Sequence, residues 1–325
     1  MNLNKIQGIE LLKFLAAIMI TNSHCKPLYP DSISALGTFG APGNALFFLV
    51  SGFTLMLGRK DIFSTWYKRR ISRIWPSVLA WSALLYPLLF GIYKPITFEK
   101  IWLGGDYWFL HCIVVYYAIY WFIDNFARGI LKKIVIWAIL IETVIFFFMP
   151  IHNLSIYQTD YHYICFFSVM IMGAYIAKNR ESILSTNLIK EFSLSFISLI
   201  LFYAIQAIGK GKDDWHFYVQ IISLIPLHSF LYYLYVITTN DHIERIVKLP
   251  VIGIIIRFIA ALTLEIYLVG FVFILTDFNN LFPLNLLIVF GIIVSMAYAV
   301  KIISNFILQT LQDKPYDWKK IVVII

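Results

Sequence analysis

Between residues 7 and 308 the sequence is a succession of long apolar stretches separated by short polar or Gly/Pro-containing breaks. They fall at approximately 7–24, 40–57, 74–93, 107–123, 131–150, 161–177, 192–209, 216–238, 250–276 and 282–308. A hydrocarbon core roughly 30 Å thick needs about 20 helical residues to cross it. Lipid offers the backbone no hydrogen-bond partners, so such stretches span as helices or as the strands of a closed barrel. The polar/apolar alternation of barrel strands is missing here. The expected fold is therefore an all-α polytopic bundle of about ten transmembrane helices. Ten spans consume about 200 residues, which leaves room for loops but none for a soluble domain. Residues 1–325 read as a single integral membrane domain with no internal repeat. Composition agrees: 60% of the 325 residues are hydrophobic and 14% charged, against roughly 45–50% and 25% in soluble domains.

The formal net charge of +8 reads as orientation, not as a nucleic-acid partner. With the N-terminus inside, 18 of the 26 Lys and Arg fall in inside segments, among them Lys5, Arg59–Arg73, Arg128–Lys133, Lys178–Lys190, Arg245, Lys248, Lys314, Lys319 and Lys320. Only Lys26, Lys94, Lys100, Lys210 and Lys212 fall outside, and Lys13, Arg257 and Lys301 lie within spans. Cytoplasmic loops collect Lys and Arg, so both termini are expected in the cytoplasm. Cys25, Cys112 and Cys165 form no CxxC pair, and His111, His152, His162, His216, His228 and His242 show no metal-ligand spacing. No metal is expected.

Charges inside a span cost roughly 2.5–3.5 kcal/mol each on insertion scales, so they turn to protein or water. The first span carries Glu10 and Lys13 and ends at Asn22-Ser23-His24. Lys13 and His24 are about 1100° apart in a helix, roughly 20° from whole turns and about 16 Å along the axis. Glu10 projects about 40° from His24, some 21 Å away. The three form one polar stripe. Glu10 and Lys13 can pair as i, i+3 neighbours, and a neutralised structural pair explains them as well as a functional one. His24 alone is equally an interfacial histidine.

Five segments then carry a resemblance. Glu10, Lys13 and His24 stand in the order and spacing of the opening motif of the acyltransferase-3 family, with Lys in place of the commoner Arg. Phe47-Phe48-Leu49-Val50-Ser51-Gly52-Phe53 resembles its FFxxSGF signature, and Lys68-Arg69-Arg70-Ile71-Ser72-Arg73-Ile74-Trp75-Pro76 its RxxR-then-Pro segment. Tyr107-Trp108-Phe109-Leu110 resembles its WFL element. Leu264-Glu265-Ile266-Tyr267-Leu268-Val269 resembles its YLxH element, except that Gly270 stands where a His is often found. Members of that family are integral membrane acyltransferases that commonly O-acetylate bacterial surface polysaccharides. The resemblance implies acyl transfer, most simply of acetyl from cytoplasmic acetyl-CoA, to a hydroxyl of a capsule, exopolysaccharide or lipopolysaccharide at the bacterial inner membrane.

The chemistry suits the residues. An alcohol is a poor nucleophile at neutral pH, and histidine is the side chain best matched to take its proton; His24 is the expected base, with Glu10 and Lys13 beside it on the stripe. Arg70, Arg73 and Arg69 are expected to grip the phosphates of acyl-CoA, since guanidinium forks bind phosphate bidentately; a lipid-headgroup loop is the plainer reading. Arg70 and Arg73, at i and i+3, are expected on one side of a helix. Ser51 is an oxyanion donor candidate, although Ser-Gly in a span more often marks close packing. Trp108 and Glu265 are candidate substrate contacts, against an aromatic belt and a buried structural charge. Glu142 and Arg257 carry the same ambiguity, and Cys25 beside His24 is a weak candidate acyl carrier. Expected partners are acyl-CoA, a lipid-linked or nascent glycan, membrane lipids and no nucleic acid; a homo-oligomer is compatible. Two other readings stand beside the enzyme: a transporter or flippase of a lipid-linked glycan, and a membrane scaffold without chemistry. Succinyl or a longer acyl group is an alternative to acetyl.

Overall fold

The computed structural model describes residues 7–90, 107–151, 154–211, 213–312 and 315–325. Lys5, Lys94, Lys100, His152, Lys212 and Lys314 lie outside the described residues, as does the end of the stretch expected at 74–93. Among the described residues the regular structure is helical and no strand occurs. The chain is thus a polytopic helical membrane protein, because six helical segments are long and apolar enough to cross a bilayer: Asp31–Met56, Phe63–Phe90, Trp108–Phe126, Leu188–Ile208, Asp214–Thr238 and Leu284–Thr310. A bent pair, Pro250–Ala261 with Thr263–Gly270, makes a seventh.

Three of the ten apolar stretches are helical but fall short of that test. Gln7–His24 (α1) has 18 residues, and Glu10, Lys13 and its polar ends dilute it. Leu131–Phe146 has 16 residues and Phe167–Lys178 has 12, about 24 and 18 Å of helix. The last is buried along nearly its whole surface, from Ser168 through Ala177 except Tyr175. A helix apolar all round suits either protein or lipid surroundings, and this one is wrapped in protein.

The chain forms two compact units. Unit 1 comprises Met1–Lys13, Asn44–Arg59 and Ala118–Gly253; unit 2 comprises Phe14–Gly43, Lys60–Tyr117 and Ile254–Ile325. Within unit 1, α2 (Gly40–Met56) crosses Phe167–Lys178 at backbone contact. A Cβ on Gly52 would lie 1.8 Å from the Met170 carbonyl oxygen, and one on Gly173 would lie 1.9 Å from that of Leu49. Only glycine permits this reciprocal approach. Phe48 stacks on Phe166 and Phe53 leans on Tyr235 beside it.

Within unit 2, α3 (Phe63–Ile71) ends in a turn at Ser72-Arg73-Ile74, and α4 (Trp75–Leu79) restarts with Pro76 in its first turn. Proline suits that position because its missing N–H would be unbonded there anyway. A π-helical turn, Ala80–Leu85, follows, just ahead of Pro87, whose ring and missing N–H disfavour a regular α-helical ladder there. α5 (Pro250–Ala261) and α6 (Thr263–Gly270) meet at a 62° bend. The Thr263 hydroxyl donates to the Ala260 carbonyl at 2.8 Å, occupying an acceptor that an unbroken ladder would use. α7 (Leu284–Thr310) runs 27 residues, about 40 Å. The chain then folds back along it. Asp317 N–H donates to Gln309 Oε1 at 2.8 Å, Asn305 Nδ2 donates to the Ile321 carbonyl at 3.1 Å, and the Tyr298 hydroxyl donates to that of Val322 at 2.9 Å.

Candidate functional site

α1 is unbroken from Gln7 to His24, so the stripe deduced from spacing is a property of one continuous helix. Glu10 and Lys13 are half-buried one turn apart, while His24 is exposed at the helix end. The chain around His24 is held firmly by its neighbours within unit 2. Asn22 Nδ2 donates to the carbonyls of Leu36 (2.8 Å) and Thr38 (3.1 Å), and its Oδ1 accepts the Tyr29 hydroxyl at 2.6 Å. Asn285 Nδ2 donates to the Leu28 carbonyl at 2.8 Å and Asn279 Nδ2 to that of Pro27 at 2.9 Å. Gly37 lies so close to Lys26 that a Cβ would come within 2.5 Å of its Cα. His24 is thus an exposed residue on an ordered rim, and its imidazole has no hydrogen bond of its own among the described residues. Cys25, the next residue, is buried, and burial pushes its thiol up to about 11. Thiolate is the nucleophilic form, so this position is poorly suited to carry an acyl group.

The basic segment divides its three arginines. Arg69 pairs with Asp61 at 3.2 Å. Arg70 is buried, its guanidinium 5.5 Å from the centroid of the Trp66 ring, a cation–π contact worth roughly 0.5–2 kcal/mol. Arg73 is exposed. The two arginines expected on one side differ in burial: Arg70, in the last turn of α3, is covered, while Arg73, in the turn after Ile71, stays out.

Past Pro76 the same segment leads to a buried carboxylate. Glu265 is fully buried in the first turn of α6, where the N-terminal end of the helix dipole favours negative charge. Its Oε1 accepts from the Ser77 hydroxyl at 2.6 Å and from Lys301 Nζ at 3.0 Å, and Ser77 Oγ is 2.9 Å from Ser304 Oγ. Its Oε2 is buried without a hydrogen bond among the described residues. Sequence reading missed Ser77, Lys301 and Ser304 as a group. Only Lys301, a cation within an apolar run, gave a signal, because an intramembrane cation demands a counter-charge.

Trp108 is half-buried at the start of Trp108–Phe126, edge-on to Phe109. Its neighbour Tyr107 is the anchored residue: the Tyr107 hydroxyl accepts from Trp81 Nε1 at 2.7 Å and donates to the Leu268 carbonyl, and its ring packs on Tyr267 and Phe271. Ser51 is buried in α2 beside the Gly52 crossing, in unit 1 with Glu10 and Lys13. His24, Arg69, Arg70, Arg73, Trp108 and Glu265 all belong to unit 2. Among the described residues no three His, Cys, Asp or Glu side chains converge as a metal site.

Set beside known proteins, the chain matches one family model, described as an acyltransferase domain, over residues 6–304. Searches of curated proteins and of solved structures return no match. With nearly the whole length covered, from α1 into α7, the chain belongs to the acyltransferase-3 family and is a multi-pass membrane acyltransferase.

Proposed function

We propose that this acyltransferase moves an acetyl group from cytoplasmic acetyl-CoA to a hydroxyl of a bacterial surface glycan at the inner membrane, with His24 as general base. The observation that carries the reading is the exposed imidazole at the end of α1, on a rim braced by Asn22, Tyr29 and Asn285. A base that must meet a sugar has to be accessible on an ordered segment, and His24 is exposed at the end of a braced one. His24 accepts the proton of the sugar hydroxyl as its oxygen attacks the thioester carbon. The carbon–sulfur bond then breaks and the thiolate leaves, taking a proton to become CoA. One proton is released at the acceptor and one consumed at the donor, so charge balances over the turnover.

Arg73, exposed, and Arg69 make first contact with the donor phosphates, and Arg70 supports them from within. Lys13, with Glu10 beside it, lines the way for the donor along α1. Ser51 and Trp108 are assigned to the acyl oxygen and the sugar face. Glu265 offers Oε2 to a substrate hydroxyl while Ser77 and Lys301 hold Oε1. In this reading the short helices also cross the bilayer, giving ten passes with both termini in the cytoplasm, as the Lys/Arg distribution favours.

The test is transfer of labelled acetyl from acetyl-CoA to a glycan acceptor by the purified protein in nanodiscs. His24→Ala is expected to lower the rate by about 10²–10⁴, the usual worth of a general base, with thermal stability unchanged; undiminished transfer rejects the assignment. A flippase is the second reading. The 62° bend between α5 and α6 favours it, because transporters build substrate sites at discontinuous helices. Glycan crossing the nanodisc or vesicle membrane without acetylation would support it instead, and succinyl-CoA in place of acetyl-CoA decides the acyl group.

A further inference from the structure

Away from those residues, unit 1 contains a three-membered hydrogen-bonded chain in which every group is buried: Glu142 on Leu131–Phe146, Ser168 on Phe167–Lys178, and His228 on Leu224–Thr238. The Ser168 backbone N–H donates to Glu142 Oε1 at 2.7 Å. Ser168 Oγ lies 2.7 Å from Glu142 Oε2 and 2.9 Å from His228 Nε2. His228 Nδ1 lies 2.8 Å from the Leu224 carbonyl oxygen.

Counting protons decides what this chain is. A carbonyl oxygen only accepts, so Nδ1 carries a hydrogen. The Ser168 hydroxyl has one proton for two contacts. Were Glu142 a carboxylate and His228 neutral, one of those contacts would press two lone pairs together at hydrogen-bond distance. The three groups therefore hold one proton more than that. It sits either on Oε2, with Glu142 donating to Ser168 and Ser168 to Nε2, or on Nε2, with the donations reversed. The two forms interconvert without net charge. The Oε2–H bond breaks as a new Oγ–H bond forms, and the former Oγ–H bond breaks as Nε2–H forms. The first form places no charge in a bilayer interior, where separated charges are costly, and it gives each carboxyl oxygen its natural partner: the carbonyl oxygen Oε1 accepts the N–H, and the hydroxyl oxygen Oε2 donates.

We infer that Glu142, Ser168 and His228 form a proton-binding site in unit 1, with Glu142 held as the neutral acid and the proton fastening three helices together. The titratable groups facing it are phenols, which are neutral at neutral pH: Tyr161, whose hydroxyl donates to the Glu142 backbone carbonyl at 3.1 Å, and Tyr157. Among the described residues no Lys or Arg forms an ion pair with Glu142. Losing the proton would turn one of the two side-chain hydrogen bonds into a repulsive contact, so the fastening is pH-sensitive. The site is separate from acyl transfer, and its fate does not depend on that reading.

Infrared spectroscopy of the full-length protein in nanodiscs tests it. At neutral pH, wild type labelled with carboxyl-¹³C glutamate should show a label-sensitive carboxylic-acid carbonyl band. Glu142→Gln should lose that band and Glu265→Gln should keep it; no such band in wild type, or one unchanged in Glu142→Gln, overturns the inference. A second measurement needs no assignment. The folded chain keeps a proton that the unfolded carboxyl gives up, so wild-type thermal stability should fall as pH rises above the ordinary Glu range until the site itself deprotonates. Glu142→Gln, which carries its donor permanently, should lack that slope, and an identical slope counts against the site. If Glu142→Gln does not fold, Ser168→Ala serves: the acid loses its acceptor and its band should shift, and an unshifted band likewise overturns the proposal.

Discussion

Glu142 in unit 1 and Glu265 in unit 2 are both buried carboxyl groups in apolar helices, yet they are kept there by different means. Glu265 has an ammonium 3.0 Å away and a helix N-terminus behind it. Glu142 has a serine and a histidine and no cationic partner among the described residues. One site is held by a counter-charge, the other by a proton. The lesson is that a charged residue type in a membrane sequence does not announce a charge. A cation-paired carboxylate keeps its negative oxygen available to a ligand, whereas a protonated one is a packing element that answers to pH.

The sharpest break of this comparison is Lys301→Met. It strands Glu265 without its cation and should cost about 3–5 kcal/mol, the penalty of leaving a buried charge unpaired, read as a large drop in melting temperature in nanodiscs. The double variant Lys301→Met/Glu265→Gln should recover most of that loss; no recovery would mean that Lys301 acts through packing alone. Unit 1 should respond sharply to volume at its glycine crossing. Gly173→Ala forces a methyl against the Leu49 carbonyl and should cost about 1–3 kcal/mol as overpacking, with the same melting assay as its check. Arg73→Ala in unit 2 should raise the KM for acetyl-CoA about tenfold, as expected for one lost phosphate contact of about 1.4 kcal/mol, and leave stability alone because the side chain is exposed. Arg70→Ala, by contrast, should raise the KM and also lower stability, because its guanidinium is buried against Trp66. The smallest effect is at Cys25. Its thiol at about 11 predicts slow alkylation by iodoacetamide at pH 7 and faster reaction as pH rises towards that value; rapid labelling at pH 7 would show a reactive thiolate beside His24.

Part of the local geometry around the candidate residues was legible in the linear order. Glu10, Lys13 and His24 stand on one helix as the 100° step requires, and Gly52 in its Ser-Gly pair does mark a backbone crossing, although its partner Gly173 had no signal of its own. Arg70 and Arg73 read as twins but differ in burial, one covered at the end of α3 and the other exposed in the turn beyond Ile71. The span count suffered from a similar ambiguity. Hydropathy reports how apolar a stretch is, not what it faces, so Phe167–Lys178 and a lipid-facing span look alike in sequence while only one is wrapped in protein.

By itself the sequence determined that the elements would be helices, since lipid leaves an unpaired backbone no other solution, and it determined which side chains share a stripe, since that needs only the helical repeat. Tertiary structure alone decided which polar groups meet. Ser77 and Lys301 find Glu265 from 188 and 36 residues away, and His228 reaches Ser168 across 60. Such partners are chosen by where whole helices pack, and no local period records that choice.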